Sequence, residues 1–200
     1  MKITVITPPY WIKDELLLYG ILLDRGIDFI RIRKPTHTAS EMNSFLKSIP
    51  KSWYPKVIVH QPKLDISSYP SMGVHRTDTH PVIKESCGIR STTMHHLEEL
   101  PHTSEYDQVL VSPIFDSISK EGYKSKWKRD MLSFTNEKKE TDWIALGGIS
   151  PTRLDQVSEM GFNHAAIMGY LWQDAIHNGN IHYDLLNPRL DTLNQSKNEI

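Results

Sequence analysis

A single α/β domain built as a (β/α)8 barrel is the architecture this sequence predicts, on three observations. Short apolar, β-branched runs recur along the chain with helical patterns between them. The runs are continuously apolar rather than alternating, as strands covered by helices in a parallel sheet are. Two strand-to-helix turns near the end, Leu146-Gly147-Gly148-Ile149 and Ile167-Met168-Gly169, carry glycines where the last two units of a barrel hold a phosphate. An open doubly wound sheet would want a glycine-rich turn after its first strand, and Ile6-Thr7-Pro8-Pro9 offers no nest of amides.

The elements follow in order. The first strand is Lys2–Ile6, and a leucine-rich helix over Lys13–Asp24 is stopped by Gly26. Strand two is Phe29–Arg33, a helix spans Ser40–Ser48, strand three is Val57–His60 and strand four Met72–His75. From Pro62 to Pro81 there is room only for stunted helices. Strand five is predicted at Cys87–Ser91 with a short helix at His96–Leu100, and strand six at Gln108–Val111. Strand seven, Trp143–Leu146, leads into a helix over Pro151–Met160, with Ser150 as N-cap and the proline in the first helical position. Strand eight, Ala165–Met168, precedes a last helix at Leu171–Ile176. The barrel domain is thus 1–177, and 178–200, polar and without clear periodicity, reads as a tail.

Two hundred residues suit one domain with a sizeable core. A net charge of −1 and a pI of about 6.8 give no basic field, so no nucleic-acid partner is expected. Cys87 is the only cysteine, which forbids an internal disulfide and suits a reducing cytoplasmic setting. No run approaches the ~20 apolar residues of a membrane span, and the N-terminal run is too short for a signal peptide, so no membrane association is expected.

Polar residues at the C-terminal ends of barrel strands point into the active-site mouth. Alternation puts Arg31 and Arg33 on one face of strand two, with Lys34 next to them. There they could bind phosphate, pyrophosphate or carboxylate, or form an ion pair with a neighbouring strand. Of ten histidines, His60, His75 and His95 fall at or just past strand ends, the place for proton transfer near neutral pH. No His-x-His or Cys/His spacing supports zinc. After strand six, the loop from Ser112 to Gly122 is rich in hydroxyls and carries Ser117, Ser119 and Lys120, suited to closing over an anion. A phosphorylated small molecule is the leading ligand class.

The chain up to about His177 resembles the thiamine phosphate synthase and thiazole tautomerase superfamily of small TIM barrels. The resemblance is carried by Ile27-Asp-Phe-Ile-Arg-Ile-Arg33, Leu64-Asp-Ile66, Gly73-Val-His75, His95-His-Leu-Glu-Glu99 and Tyr106-Asp-Gln-Val-Leu-Val-Ser-Pro-Ile-Phe115. Ser117, Ser119, Lys120, Ala145-Leu-Gly-Gly-Ile149 and Ala166-Ile-Met-Gly169 follow in the same order. The resemblance implies a thiamine-biosynthesis enzyme. Its synthase branch joins hydroxymethylpyrimidine diphosphate to thiazole phosphate and releases pyrophosphate with magnesium. Its tautomerase branch aromatises a thiazole carboxylate phosphate without metal or other cofactor.

By the same resemblance, Arg33, Ser117, Ser119 and Lys120 face the pyrophosphate or carboxylate. Gly147, Gly148, Met168 and Gly169 hold the thiazole phosphate, and His95 is the acid/base. From their places at the strand ends, not from the resemblance, Arg31, Lys34, His60 and His75 are expected to complete the substrate site. Three departures tilt the expectation to the tautomerase-like isomerase. His60-Gln61 stands where synthases have Asn-Asp, the loop after His75 is shortened to Arg76-Thr-Asp78, and Arg33-Lys34-Pro35 replaces Arg-x-Lys, which redirects the lysine. No metal is expected, and Mg2+ only for a true synthase, which is one alternative; a non-catalytic phosphate-ligand-binding regulator is another. A homo-oligomer is compatible with the sequence.

Overall fold

Eight parallel strands close on themselves in chain order in the computed structural model, which describes residues 1–60, 66–76, 88–116, 127 and 141–200. They are β1 (Lys2–Ile6), β2 (Phe29–Arg33), β3 (Val57–His60), β4 (Gly73–His75), β5 (Arg90–Met94), β6 (Gln108–Val111), β7 (Asp142–Leu146) and β8 (His164–Ile167). The pairing of Ile3 with Ala165 and Val5 with Ile167 seals the ring. The predicted single (β/α)8 TIM barrel is the observed fold.

Period-2 alternation sorts the strands into two environments. Ile3, Val5, Ile30, Ile32, Val57, Val59, Val109 and Val111 face outward and share one core with the helices. The chief helices are α1 (Glu15–Asp24) and α2 (Ala39–Ser48). Buried Leu18 and Leu22 supply the contact from α1, and Met42 and Leu46 that from α2. A capping box starts α2: Thr38 Oγ1 accepts from the Glu41 amide while the Glu41 carboxylate accepts from the Thr38 amide. Inside the barrel the apolar cluster is small, Ile6, Leu110, Ile144 and Ala166. Ile58 also points inward, and much of the remaining interior is polar, where the site is built.

Several expected elements differ. β5 starts three residues later than Cys87–Ser91, so Thr92 and Thr93 belong to the strand; Cys87 lies outside the described residues. Ser150 does not cap a helix with its side chain. Its hydroxyl meets Thr152, and the chain makes a 3-10 turn over Pro151–Arg153 before α3 (Leu154–Glu159). After β8 comes a single helical turn, α4 (Gly169–Trp172), rather than a helix at 171–176.

The segment 178–200 is no tail. Asn178 and Gly179, both at positive φ, turn a hairpin between β9 (Ile176–His177) and β10 (Asn180–Ile181). The helix α5 (Tyr183–Glu199) then buries Leu186, Leu190 and Leu193. It is fastened to the α1–β2 corner by Lys197, which donates to Gly26 O and pairs with Asp28 at 2.7 Å. Among the described residues no helix is long and apolar enough to cross a membrane.

Candidate active site

A polar column fills the barrel from its N-terminal end to its mouth. At the bottom His164, fully buried, lies 2.9 Å from Asp142 Oδ2 through Nδ1 and 2.7 Å from Thr4 Oγ1 through Nε2. Burial works to raise the Asp142 carboxyl, but the bond to His164 and the nearby Lys2 outweigh it and keep the group anionic. An anion accepts only, so Nδ1 of His164 carries the proton and Nε2 accepts from the Thr4 hydroxyl. Gln108 bridges upward: its amide nitrogen donates to Asp142 at 3.2 Å and its oxygen accepts from Arg31 at 2.5 Å.

Arg31 sits mid-barrel and is wholly buried, not at the mouth where it was expected. Its side chain lies across the interior and donates to Ser91 Oγ at 2.8 Å, with His75 Nδ1 at 3.4 Å. Burial lowers its guanidinium to about 9 against the pull of Asp142, which still leaves a cation at neutral pH. Arg31 only donates and its Nη1 faces His75 Nδ1 as well as Ser91 Oγ, so that ring nitrogen keeps its lone pair and accepts from the Ser91 hydroxyl at 3.1 Å. The other ring nitrogen of His75, Nε2, then carries hydrogen and donates to Thr93 Oγ1 at 3.1 Å.

His60 stacks on His75 with centroids 3.9 Å apart and planes at 16°. Burial, then the neighbouring Arg31 and Arg33, holds His75 well below the usual imidazole range; burial, His75 and the same arginines do so for His60. Both are neutral at physiological pH. Arg33, beside His60 in the register and exposed, completes the mouth at this edge.

Lys34 is turned away from the mouth. It is fully buried, pairs with Glu15 at 2.7 Å and donates to the carbonyls of Pro8 at 2.9 Å and Tyr10 at 2.7 Å. An ammonium has three hydrogens, and all three are used. The residue expected to bind substrate is instead a clamp that ties the loop after β1 to β2, with Trp11 under its charge at 4.9 Å.

His95 follows β5 directly. Its amide donates to Glu99 Oε2 at 2.8 Å and its Nδ1 lies 2.9 Å from the carbonyl oxygen of Ser112. A carbonyl only accepts, so Nδ1 carries the hydrogen and Nε2 keeps the lone pair in the neutral ring. The structure thereby supplies a proton acceptor whose orientation is fixed from two sides. His95 lies beside the β6 end, whereas His60 and His75 lie at β3 and β4.

The two glycine turns meet different neighbours. Gly147 and Gly148 have φ of 102° and 66°, and a Cβ on Gly148 would sit 2.4 Å from the carbonyl oxygen of Asp116. Close packing against the loop after β6 therefore requires glycine here, whatever the ligand. Arg153 donates to Gly148 O at 2.7 Å with its guanidinium over Phe115. A cation thus stands beside the expected phosphate turn, and its five-residue spacing from Gly148 is the signal in the sequence that points to it. Met168 and Gly169 instead line a cleft of about 440 Å3 with Pro8, Pro9, Tyr10, Trp172 and Gln173. Ser117, Ser119, Lys120, Gln61 and Asp78 lie outside the described residues.

No protein-family model and no curated protein sequence matches the chain. Solved structures do. A thiamine phosphate pyrophosphorylase from Bacteroides thetaiotaomicron is 25% identical with a TM-score of 0.80, over 99% of this chain and 98% of that one. One from Pyrococcus furiosus is 16% identical with a TM-score of 0.75, over 99% and 96%. A 3-hexulose-6-phosphate synthase from Salmonella typhimurium is similar in fold, at 13% identity and a TM-score of 0.65 over 100% and 99%. The Bacteroides thetaiotaomicron pyrophosphorylase supports the thiamine phosphate synthase superfamily, which the sequence resembles, and the other two share the fold.

Proposed function

We propose that this barrel of the thiamine phosphate synthase superfamily acts on a thiazole phosphate and catalyses a tautomerase-like proton shift with His95 as acid and base. The observation that carries the reading is the bond between His95 Nδ1 and Ser112 O, which leaves Nε2 as the acceptor. In the reaction Nε2 takes a proton from one position of the thiazole carboxylate phosphate and returns it to another, while Arg33 faces the carboxylate. The turns at Gly147-Gly148 and Met168-Gly169, with Arg153 alongside the first, hold the phosphate through amides and charge.

The alternative, a true synthase that releases pyrophosphate, has in its favour the pyrophosphorylase from Bacteroides thetaiotaomicron. That reaction needs magnesium. Among the described residues the ends of β2, β3 and β4 offer Arg33, His60, His75 and Arg76, cations and imidazoles where a hard dication wants carboxylate oxygens. Gln61 and Asp78 lie outside the described residues, and the donor set that is described favours the metal-free reading.

The test is incubation of purified protein with both substrate sets, with and without magnesium. Tautomerisation without metal is expected, and His95→Asn should lower its rate by about 10²–10⁴-fold while thiazole phosphate affinity holds. Rapid magnesium-dependent formation of thiamine phosphate would overturn the reading in favour of the synthase. Thiazole phosphate binding without either turnover would favour a regulator.

A further inference from the structure

We propose that His60 is a specificity-determining contact, its Nε2 exchanging one hydrogen bond with an uncharged group of the substrate, and that Arg31 positions it through Ser91 and His75. The proposal rests on the thiazole phosphate reading for the identity of the ligand.

His60 Nε2 is buried and has no hydrogen-bond partner. Such an atom is costly in a folded protein and calls for an explanation. Stacking alone does not call for histidine, because an apolar ring would stack on His75 without stranding a polar atom. A ligand explanation succeeds: the atom is unpartnered only until substrate arrives. Its place agrees, since His60 ends β3 beside Arg33 at the mouth.

The ring is held by a directional chain. Arg31 can only donate, and its Nη1 faces both Ser91 Oγ and His75 Nδ1, so Nδ1 is held as an acceptor, the Ser91 hydroxyl donates to it, and His75 Nε2–H is directed to Thr93. With both nitrogens engaged, the His75 plane cannot turn, and the 16° stack transmits that orientation to His60. Burial, helped by the same guanidinium and Arg33, keeps both rings uncharged. A neutral imidazole contacts a ring nitrogen, hydroxyl or amine, and leaves the anionic ends of the substrate to Arg33 and the glycine turns.

Two measurements test this. In the first, calorimetry compares wild type, His60→Phe and His60→Gln with thiazole phosphate and with inorganic phosphate as probes, alongside thermal melts. His60→Phe should melt higher, bind thiazole phosphate about tenfold more weakly and bind inorganic phosphate unchanged. His60→Gln should recover most of the lost affinity. A lower melting point for the phenylalanine variant with unchanged thiazole phosphate affinity would overturn the contact and make His60 structural. A wild type that binds inorganic phosphate but no thiazole phosphate would remove the contact together with the proposed function.

In the second, nitrogen NMR of histidine-labelled, unliganded protein reads the tautomer of His75. A lone-pair nitrogen at Nδ1 is expected in the wild type and mixed tautomers in Ser91→Ala. The opposite tautomer in the wild type would overturn the positioning role of Arg31 whatever the substrate.

Discussion

At the scale of the residue, buried charge is what distinguishes this barrel. The Lys34–Glu15 pair is sealed in the fold, and Glu15 also accepts from Tyr19 Oη at 2.7 Å. Removing one partner strands the other, so Lys34→Met should cost about 3–5 kcal/mol in urea unfolding, and Lys34→Met with Glu15→Gln should cost clearly less. Three histidines, His75 and His164 buried and His60 half-buried, have their folded pKa depressed, chiefly by desolvation. For a depressed imidazole the unfolded chain binds the proton first, so stability is full above the unfolded value near 6.5 and declines as pH falls below it. Melting temperature should therefore drop from pH 7 to pH 5, and His60→Phe should flatten the slope. An unchanged slope would show that His60 does not take part. The sequence made the interior placement of Arg31 legible through alternation with Arg33, but not its depth. Nor could it reveal that Lys34 is satisfied by Glu15, nineteen positions earlier, because ion pairs between elements leave no local signature.

At the scale of the element, strands were the legible part and helix ends the rest. Continuous β-branched runs fixed most strands to within a residue, since little else gives that pattern. β5 was misjudged because Arg90-Ser-Thr-Thr-Met is too polar to read as a strand. Its inward hydroxyls serve the polar column rather than an apolar core. α5 was missed although Leu186, Leu190 and Leu193 repeat on one helical face, and the Asn178-Gly179 pair was an unread hairpin sign. Leu190 is fully buried, so Leu190→Ala should cost about 2–5 kcal/mol. Thr38→Ala, which removes one half of the capping box, should cost about 1 kcal/mol. Both are read by chemical denaturation. Gly148→Val, which looks like a probe of phosphate binding, should instead damage the fold, because its side chain would meet the Asp116 carbonyl.

At the scale of the whole molecule, the order of units and the glycine turns were enough to find the architecture, and they brought Arg33, His60, His75 and His95 to strand ends as a set, while Arg31 lies deeper and Lys34 turns away. What the set does was only partly visible, because roles depend on which atom faces which: His95 gains its acceptor from Ser112 and His75 its polarity from Ser91. The polar column has a consequence for how the molecule can be divided. Arg31 belongs to the second strand, yet its partners Ser91 and Gln108 come from the fifth and sixth, and Thr4 of the first is bonded to His164 of the eighth. A chain severed between the fourth and fifth strands would leave each piece holding half of every such bond. This barrel therefore resists being split into interchangeable halves, and its two fragments should be soluble and active only when produced together.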